Sequence, residues 1–220
     1  MAGVKLISVS KSFKGKPVLA SFSTLIQDGE FVMITGPSGV GKSTLLNIIG
    51  GLEAPDSGEV MIQNQNIGSL RGKDRTRLYQ EYVGFIFQGF YLDPKLTIGE
   101  NIALPGVFAK QKPKARAERT ATLAKILGIT DYLDKKPAET PGGQSERACI
   151  ARALFMGPKI ILADEPTTNL DKKNAENVLK ILQVFQQKTG TTIIVASHDE
   201  LVRPYATKII TLGENPDETY

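Results

Sequence analysis

Glu30-Phe-Val-Met-Ile-Thr35 runs directly into Gly36-Pro-Ser-Gly-Val-Gly41-Lys42-Ser43-Thr44. The first piece is an apolar run that suits a buried strand. The second fits the pattern G-x-x-x-x-G-K-S/T, and Ser43 to Leu52 after it reads as a helix that ends at or just beyond Gly50-Gly51. A strand, a glycine-rich loop and a helix in that order form the context in which such a loop cradles phosphate. Glycines let backbone N–H groups turn inward around phosphate oxygens, and the helix N-terminus adds partial positive charge. Gly36, Pro37, Ser38, Gly39, Val40, Gly41 and Thr44 are thus candidate phosphate-binding residues. Lys42 supplies a point charge for the β- and γ-phosphates, and the Ser43 hydroxyl is a candidate Mg²⁺ ligand. The loop alone indicates a nucleoside triphosphate and nothing finer.

Downstream, Ile160-Ile-Leu-Ala-Asp164-Glu165 is an apolar strand ending in two carboxylates. Strand ends often carry acids, so this pair gains meaning from the loop upstream. Asp164 is the candidate that holds the metal shell, and Glu165 the candidate base or orienting acceptor for an attacking water.

The remaining chain alternates strand and helix signals. Val4–Val9, Val18–Ile26, Glu59–Ile62, Tyr82–Phe87 and Thr191–Ala196 read as strands, with a turn at Gly15-Lys16-Pro17. From Thr97 to about Gly157 the pattern turns helical, with helix formers over Lys114–Leu127. A helix over about Asn174–Lys188 completes a strand–helix–strand unit. The polar tail from Glu214 to Tyr220 is expected to fray.

A chain of 220 residues suffices for one α/β domain with a sizeable core. Its apolar runs are far shorter than the ~20 residues a membrane helix needs, and lysines interrupt any leader-like apolar segment at the start. The expectation is a cytoplasmic protein. The net charge of +4 permits an anionic partner, but the basic residues are spread along the chain, so no nucleic acid is expected. The single cysteine, Cys149, has no partner for an intrachain disulfide and reads as a small buried residue.

Between the two motifs lies Lys136-Pro-Ala-Glu-Thr140-Pro141-Gly142-Gly143-Gln144-Ser-Glu-Arg147. This resembles the signature segment, Leu-Ser-Gly-Gly-Gln, of ABC (ATP-binding cassette) ATPases. Gln88 is similar to that family's Q-loop glutamine, Asn169-Leu170-Asp171 to its D-loop, His198 to its switch histidine, and Phe13 to the aromatic residue that stacks on adenine. Asp171 also suits a helix N-cap. The stretch Phe85-Ile-Phe-Gln-Gly-Phe-Tyr-Leu-Asp-Pro resembles the subgroup that serves lipoprotein release, macrolide and peptide export, and cell division.

The resemblance implies an α/β fold: a P-loop NTPase core with a mainly parallel sheet, an N-terminal antiparallel β subdomain and an inserted α-helical subdomain. It implies one domain, with residues 1–90 and 158–220 as core and 91–157 as helical insertion. It implies ATP and Mg²⁺ as cofactors, with Lys42, Glu165 and His198 catalytic, Ser43, Gln88 and Asp164 at the metal, and Gly142, Gly143, Gln144 and Asp171 acting on the nucleotide of a second subunit. The expected partners are another ATPase subunit, identical or not, and a separate permease, which places the protein at the inner face of the membrane. ATP-gated signalling to a membrane protein without transport is the alternative. Substrate and direction are not readable here.

The sequence departs from the family at Thr140 and Pro141, where leucine and serine are usual. Proline suits a helix opener but offers neither hydroxyl nor N–H to phosphate. The expectation is intact ATP binding with weakened ATP-driven dimerisation and slowed turnover.

Overall fold

The computed structural model describes residues 2–213 apart from Asn169, and the side chains of Ala2 and Tyr79 are outside the described set. Asn169 of the expected D-loop and the tail 214–220, expected to fray, therefore lie outside the described residues.

Strands β1 (Ala2–Phe13) and β2 (Lys16–Gln27) form an antiparallel hairpin. Its two-residue turn is Lys14-Gly15, both at positive φ (50° and 76°), the backbone that matches strand twist in tight hairpins. The turn thus falls one residue before the expected one. Pro17 sits inside β2, paired with Ser12, tolerated because β2 is an edge strand. Ser8 and Ser21 also have positive φ (47° and 48°), and the pairing register shifts around them. These bulges explain why Leu6 and Val9, three apart, are both buried. Strand β4 (Ser57–Ile62) pairs with β1, and β5 (Gln65–Asn66) extends the antiparallel sheet to the order β2-β1-β4-β5.

The second sheet is parallel, in the order β6-β7-β8-β3-β9, from β3 (Phe31–Thr35), β6 (Val83–Ile86), β7 (Ile160–Asp164), β8 (Thr192–Ala196) and β9 (Lys208–Thr211). Its central strands are apolar except at their ends because both faces are covered. Side chains alternate between two cores. Phe31, Met33, Ile161, Ala163, Ile193 and Val195 face a core shared with α3 (Ile98–Phe108), α4 (Pro113–Leu127), α5 (Gly142–Leu154) and α6 (Lys172–Thr189). Val32, Ile34, Ile160, Leu162, Ile194 and Ala196 face the other, shared with α1 (Lys42–Ile49) and the antiparallel sheet. This is the expected α/β architecture.

One helix was not expected, α2 (Gly72–Glu81). It is rich in charge and buries little beyond Leu78, so its apolar periodicity is nearly silent. No helix among the described residues is long and apolar enough to cross a membrane.

Candidate active site

Parallel pairing puts Ile34, Ala196 and Asp164 at one level across three neighbouring strands. The chain leaving β3 enters the glycine-rich loop, the chain leaving β7 presents Glu165, and the chain leaving β8 presents Ser197 and His198. Loops from the carboxyl ends of parallel strands are where such folds place ligands.

The loop is built on close backbone contacts. A Cβ on Gly36 (φ 142°) would lie 2.5 Å from the Leu212 carbonyl oxygen, just past β9. One on Gly41 (φ 110°) would lie 2.6 Å from Val18 Cγ1. Pro37, Ser38 and Gly39 are exposed at the tip, and Val40 is half-buried, its amide 3.4 Å from the Pro37 carbonyl. Lys42, buried, donates from Nζ to the carbonyls of Gly36 (2.9 Å) and Pro37 (3.1 Å). Thr44 lies half-buried in the first turn of α1.

Ser43 Oγ donates to Asp164 Oδ1 at 3.0 Å. Burial pushes the Asp164 carboxyl up from its ordinary value; the Ser43 hydrogen bond opposes this, the neighbouring Glu165 charge adds to it, and Lys42 pulls it back. A half-buried carboxylate hydrogen-bonded to an exposed hydroxyl is an oxygen donor set that fits Mg²⁺. That ion usually keeps several waters and takes one or two protein ligands, and among the described residues no three His, Cys, Asp or Glu side chains gather as a fuller metal cage.

Glu165 has φ 47°, a left-handed conformation rare for a non-glycine residue. Its amide donates to the Ala196 carbonyl (2.9 Å). Its side chain, 10% exposed, is held from three directions: Ser197 Oγ donates to Oε2 (2.9 Å), Thr168 Oγ1 to the same oxygen (3.2 Å), and His198 Nδ1 lies 2.7 Å from Oε1. His198 is 69% exposed, so its ring reaches from Glu165 toward solvent. Ser197 and Thr168 escaped the sequence reading; Ser197 is signalled only by standing beside His198. Phe13, the last residue of β1, is 45% exposed. Gln88 is exposed just beyond β6.

The signature turn belongs to a second group. Pro141, at φ −58° and ψ 148°, is the N-cap of α5, and its carbonyl accepts from the amides of Gln144 (2.9 Å) and Ser145 (3.0 Å). The amides left for a ligand are those of Gly142, exposed, and Gly143, half-buried. Thr140 Oγ1 is turned back onto the Lys136 carbonyl (3.0 Å). Asp171 caps α6, accepting from the Asn174 amide (2.9 Å) and side chain (2.7 Å); these bonds, the amide first, hold its carboxyl below the usual range. Arg147 of α5 reaches the same Asn174 (3.4 Å).

α5 also grips the segment after Gln88. Cys149 Sγ donates to the Phe90 carbonyl (2.6 Å), and Arg152 donates to the carbonyl of Tyr91 (2.7 Å). Burial pushes the Cys149 thiol up to about 12, which keeps it a donor.

A family model described as ABC transporter matches residues 19–168. The chain is 40% identical to the ABC transporter ATP-binding protein YxdL of Bacillus subtilis, over 96% of this chain and 84% of that protein. It is 43% identical to the macrolide export ATP-binding/permease protein MacB of Haemophilus ducreyi, over 90% of this chain but only 28% of that longer protein. The dimeric cassette MJ0796 of Methanocaldococcus jannaschii, solved in a post-hydrolysis state with ADP and Pi, superposes with a TM-score of 0.89 at 39% identity, covering 95% of this chain and 94% of that one. Loop, carboxylates and histidine thus meet at the carboxyl ends of β3, β7 and β8 on a fold shared with these relatives, and the chain belongs to the ABC transporter family as an ATP-binding subunit.

Proposed function

We propose that this chain hydrolyses Mg·ATP at the interface of a head-to-tail dimer and drives a separate membrane permease with the cycle. The observation that carries this reading is the division of the site. Ser43 of the phosphate loop meets Asp164, and Glu165 meets His198, while Gly143 and Asp171 both lie against Asn174, with Gly142 beside Gly143 at the start of α5. A second copy unites the groups, its α5 N-terminus facing the first copy's γ-phosphate.

Within one site, the loop amides and Lys42 bind the phosphates. Ser43, Asp164 and Gln88 would hold Mg²⁺, which would supply neutralisation of charge on the β- and γ-phosphates. Glu165, fixed by Ser197 and Thr168, orients the attacking water and accepts its proton. His198, braced by Glu165, reaches the γ-phosphate. Phe13 stacks on the adenine. Catalysis here is positioning plus charge stabilisation.

Residues 91–157 act as a helical subdomain that carries the signature turn and grips the Q-loop. Phe85 stacks on Phe87 (4.6 Å between centroids), and Phe87 meets the edge of Tyr91 (5.6 Å), a residue that is 72% exposed. The exposed Tyr91 end of this aromatic ladder is the face offered to the permease, and a subunit docked there works at the inner membrane surface. The likeness to the macrolide export protein MacB favours export of a macrolide, and the subgroup resemblance of the sequence adds peptides and lipoproteins to the candidates. Pro141 withholds one amide and one hydroxyl from the partner's nucleotide, so turnover is slower than with serine.

Size-exclusion chromatography of Glu165→Gln tests the assembly. Dimer with ATP and monomer with ADP is the expected result; monomer with both overturns the interfacial site.

A further inference from the structure

Lys11 lies two residues before Phe13 and is 9% exposed, an uncommon position for a lysine. A desolvated ammonium needs partners for its three N–H groups, and it has three. Nζ lies 2.6 Å from Glu53 Oε1 and 3.2 Å from Asp56 Oδ1, and donates to the Ala54 carbonyl at 2.9 Å. The same Nζ stands 5.2 Å from the centroid of the Phe13 ring. Asp56 is further engaged by the Ser12 amide (2.7 Å), and its own amide donates to the Ser10 carbonyl (2.9 Å). Residues 10–12 are thus stitched to the loop that follows α1. That loop continues from the helix end, since the amides of Leu52 and Glu53 both donate to the Asn47 carbonyl (2.8 and 3.2 Å). The helix that begins at Lys42 is thereby tied at its far end to the strand that carries Phe13.

We propose that Lys11 is the positioning residue for base recognition: clamped by Glu53 and Asp56, it seats one face of the Phe13 ring and leaves the other open to a purine at a fixed distance from the phosphate loop. The inference rests on Phe13 being the base-stacking residue. An aromatic side chain at a hairpin end would otherwise sample several rotamers, and ordering it would be charged against each binding event. A cation over one face also draws electron density from the ring, which favours stacking of an electron-rich base on the other.

The test compares ATP with inorganic tripolyphosphate, which has phosphates but no base, as ligands in calorimetric titrations of the whole protein. Lys11→Met keeps the apolar stem and removes the charge; it should weaken ATP about three- to fivefold and leave tripolyphosphate unchanged. In steady-state assays the loss should appear in KM, with kcat nearly unmoved. Lys11→Arg should restore affinity. Phe13→Ala should weaken ATP at least as much, and adding Lys11→Met to it should cost nothing more. Equal losses for ATP and tripolyphosphate, or additive losses in the double variant, overturn the positioning role. Full loss in Phe13→Ala with none in Lys11→Met overturns it alone, whereas unchanged ATP affinity in Phe13→Ala overturns the stacking reading together with it.

Discussion

His198 Nδ1 lies 2.7 Å from Oε1 of Glu165, although the two residues stand 33 positions apart and only the histidine is exposed. The contact joins the ends of two adjacent parallel strands. It makes the histidine's orientation depend on the carboxylate. In the role of general base proposed for Glu165, a carboxylate typically contributes ~10²–10⁴ in rate. Glu165→Gln should therefore lower kcat by about a thousandfold while ATP still binds. His198→Ala should lower kcat with little change in ATP affinity. Single-turnover hydrolysis and equilibrium binding on the same samples check both.

Pro141 leaves α5 intact, because its carbonyl accepts the amides of Gln144 and Ser145. What it removes is a donor toward charge, and hydrogen bonds to charged groups are worth ~1.5–3 kcal/mol. Pro141→Ser should raise kcat by about tenfold or more without improving ATP affinity for the monomer. Equal rates for the two proteins contradict the reading of this substitution.

Glu146, one turn into α5, is 4% exposed, and its Oε1 has no hydrogen-bond partner. Burial pushes its carboxyl up to about 7 from 4.5. A raised folded-state value means the folded protein holds the proton more tightly than the unfolded chain. The stabilisation is complete below pH ~4.5 and is lost as pH rises through about 7. Glu146→Gln should gain about 2–3 kcal/mol over the native protein at pH 8. That gain should shrink toward zero near pH 5, as read by thermal melts across the range.

Gly41 holds φ 110°, and a Cβ there would stand 2.6 Å from Val18 Cγ1 and 3.3 Å from the Val18 carbonyl oxygen. Gly41→Ala forces strain of about 1–3 kcal/mol into the phosphate loop. ATP affinity should fall at least tenfold, with a lowered Tm, while Gly39→Ala, which meets nothing within 4 Å, should lower Tm less.

The phosphate loop and the acidic strand were readable because each couples an apolar run to residues that apolar packing does not explain. Ser43 meeting Asp164 across 121 positions follows from those two segments alone. The N-cap at Asp171 was readable from local chemistry. Other features were silent for physical reasons. The bulges at Ser8 and Ser21 break the period-two pattern that identifies a strand. β5 is two polar residues, and α2 shows almost no apolar stripe. The Ser197 support of Glu165 and the Lys11 clamp depend on partners that only tertiary folding brings together, and a buried lysine has the same letter as a solvated one.

The most direct test of the account is the Mg-ATPase rate as a function of protein concentration, for the native chain and for Glu165→Gln. A site completed by a second copy predicts a native rate that rises more than linearly with concentration and is abolished in the variant. A rate strictly proportional to concentration down to the lowest dilution, with ATP still bound, would contradict the dimeric site and leave hydrolysis to a single copy.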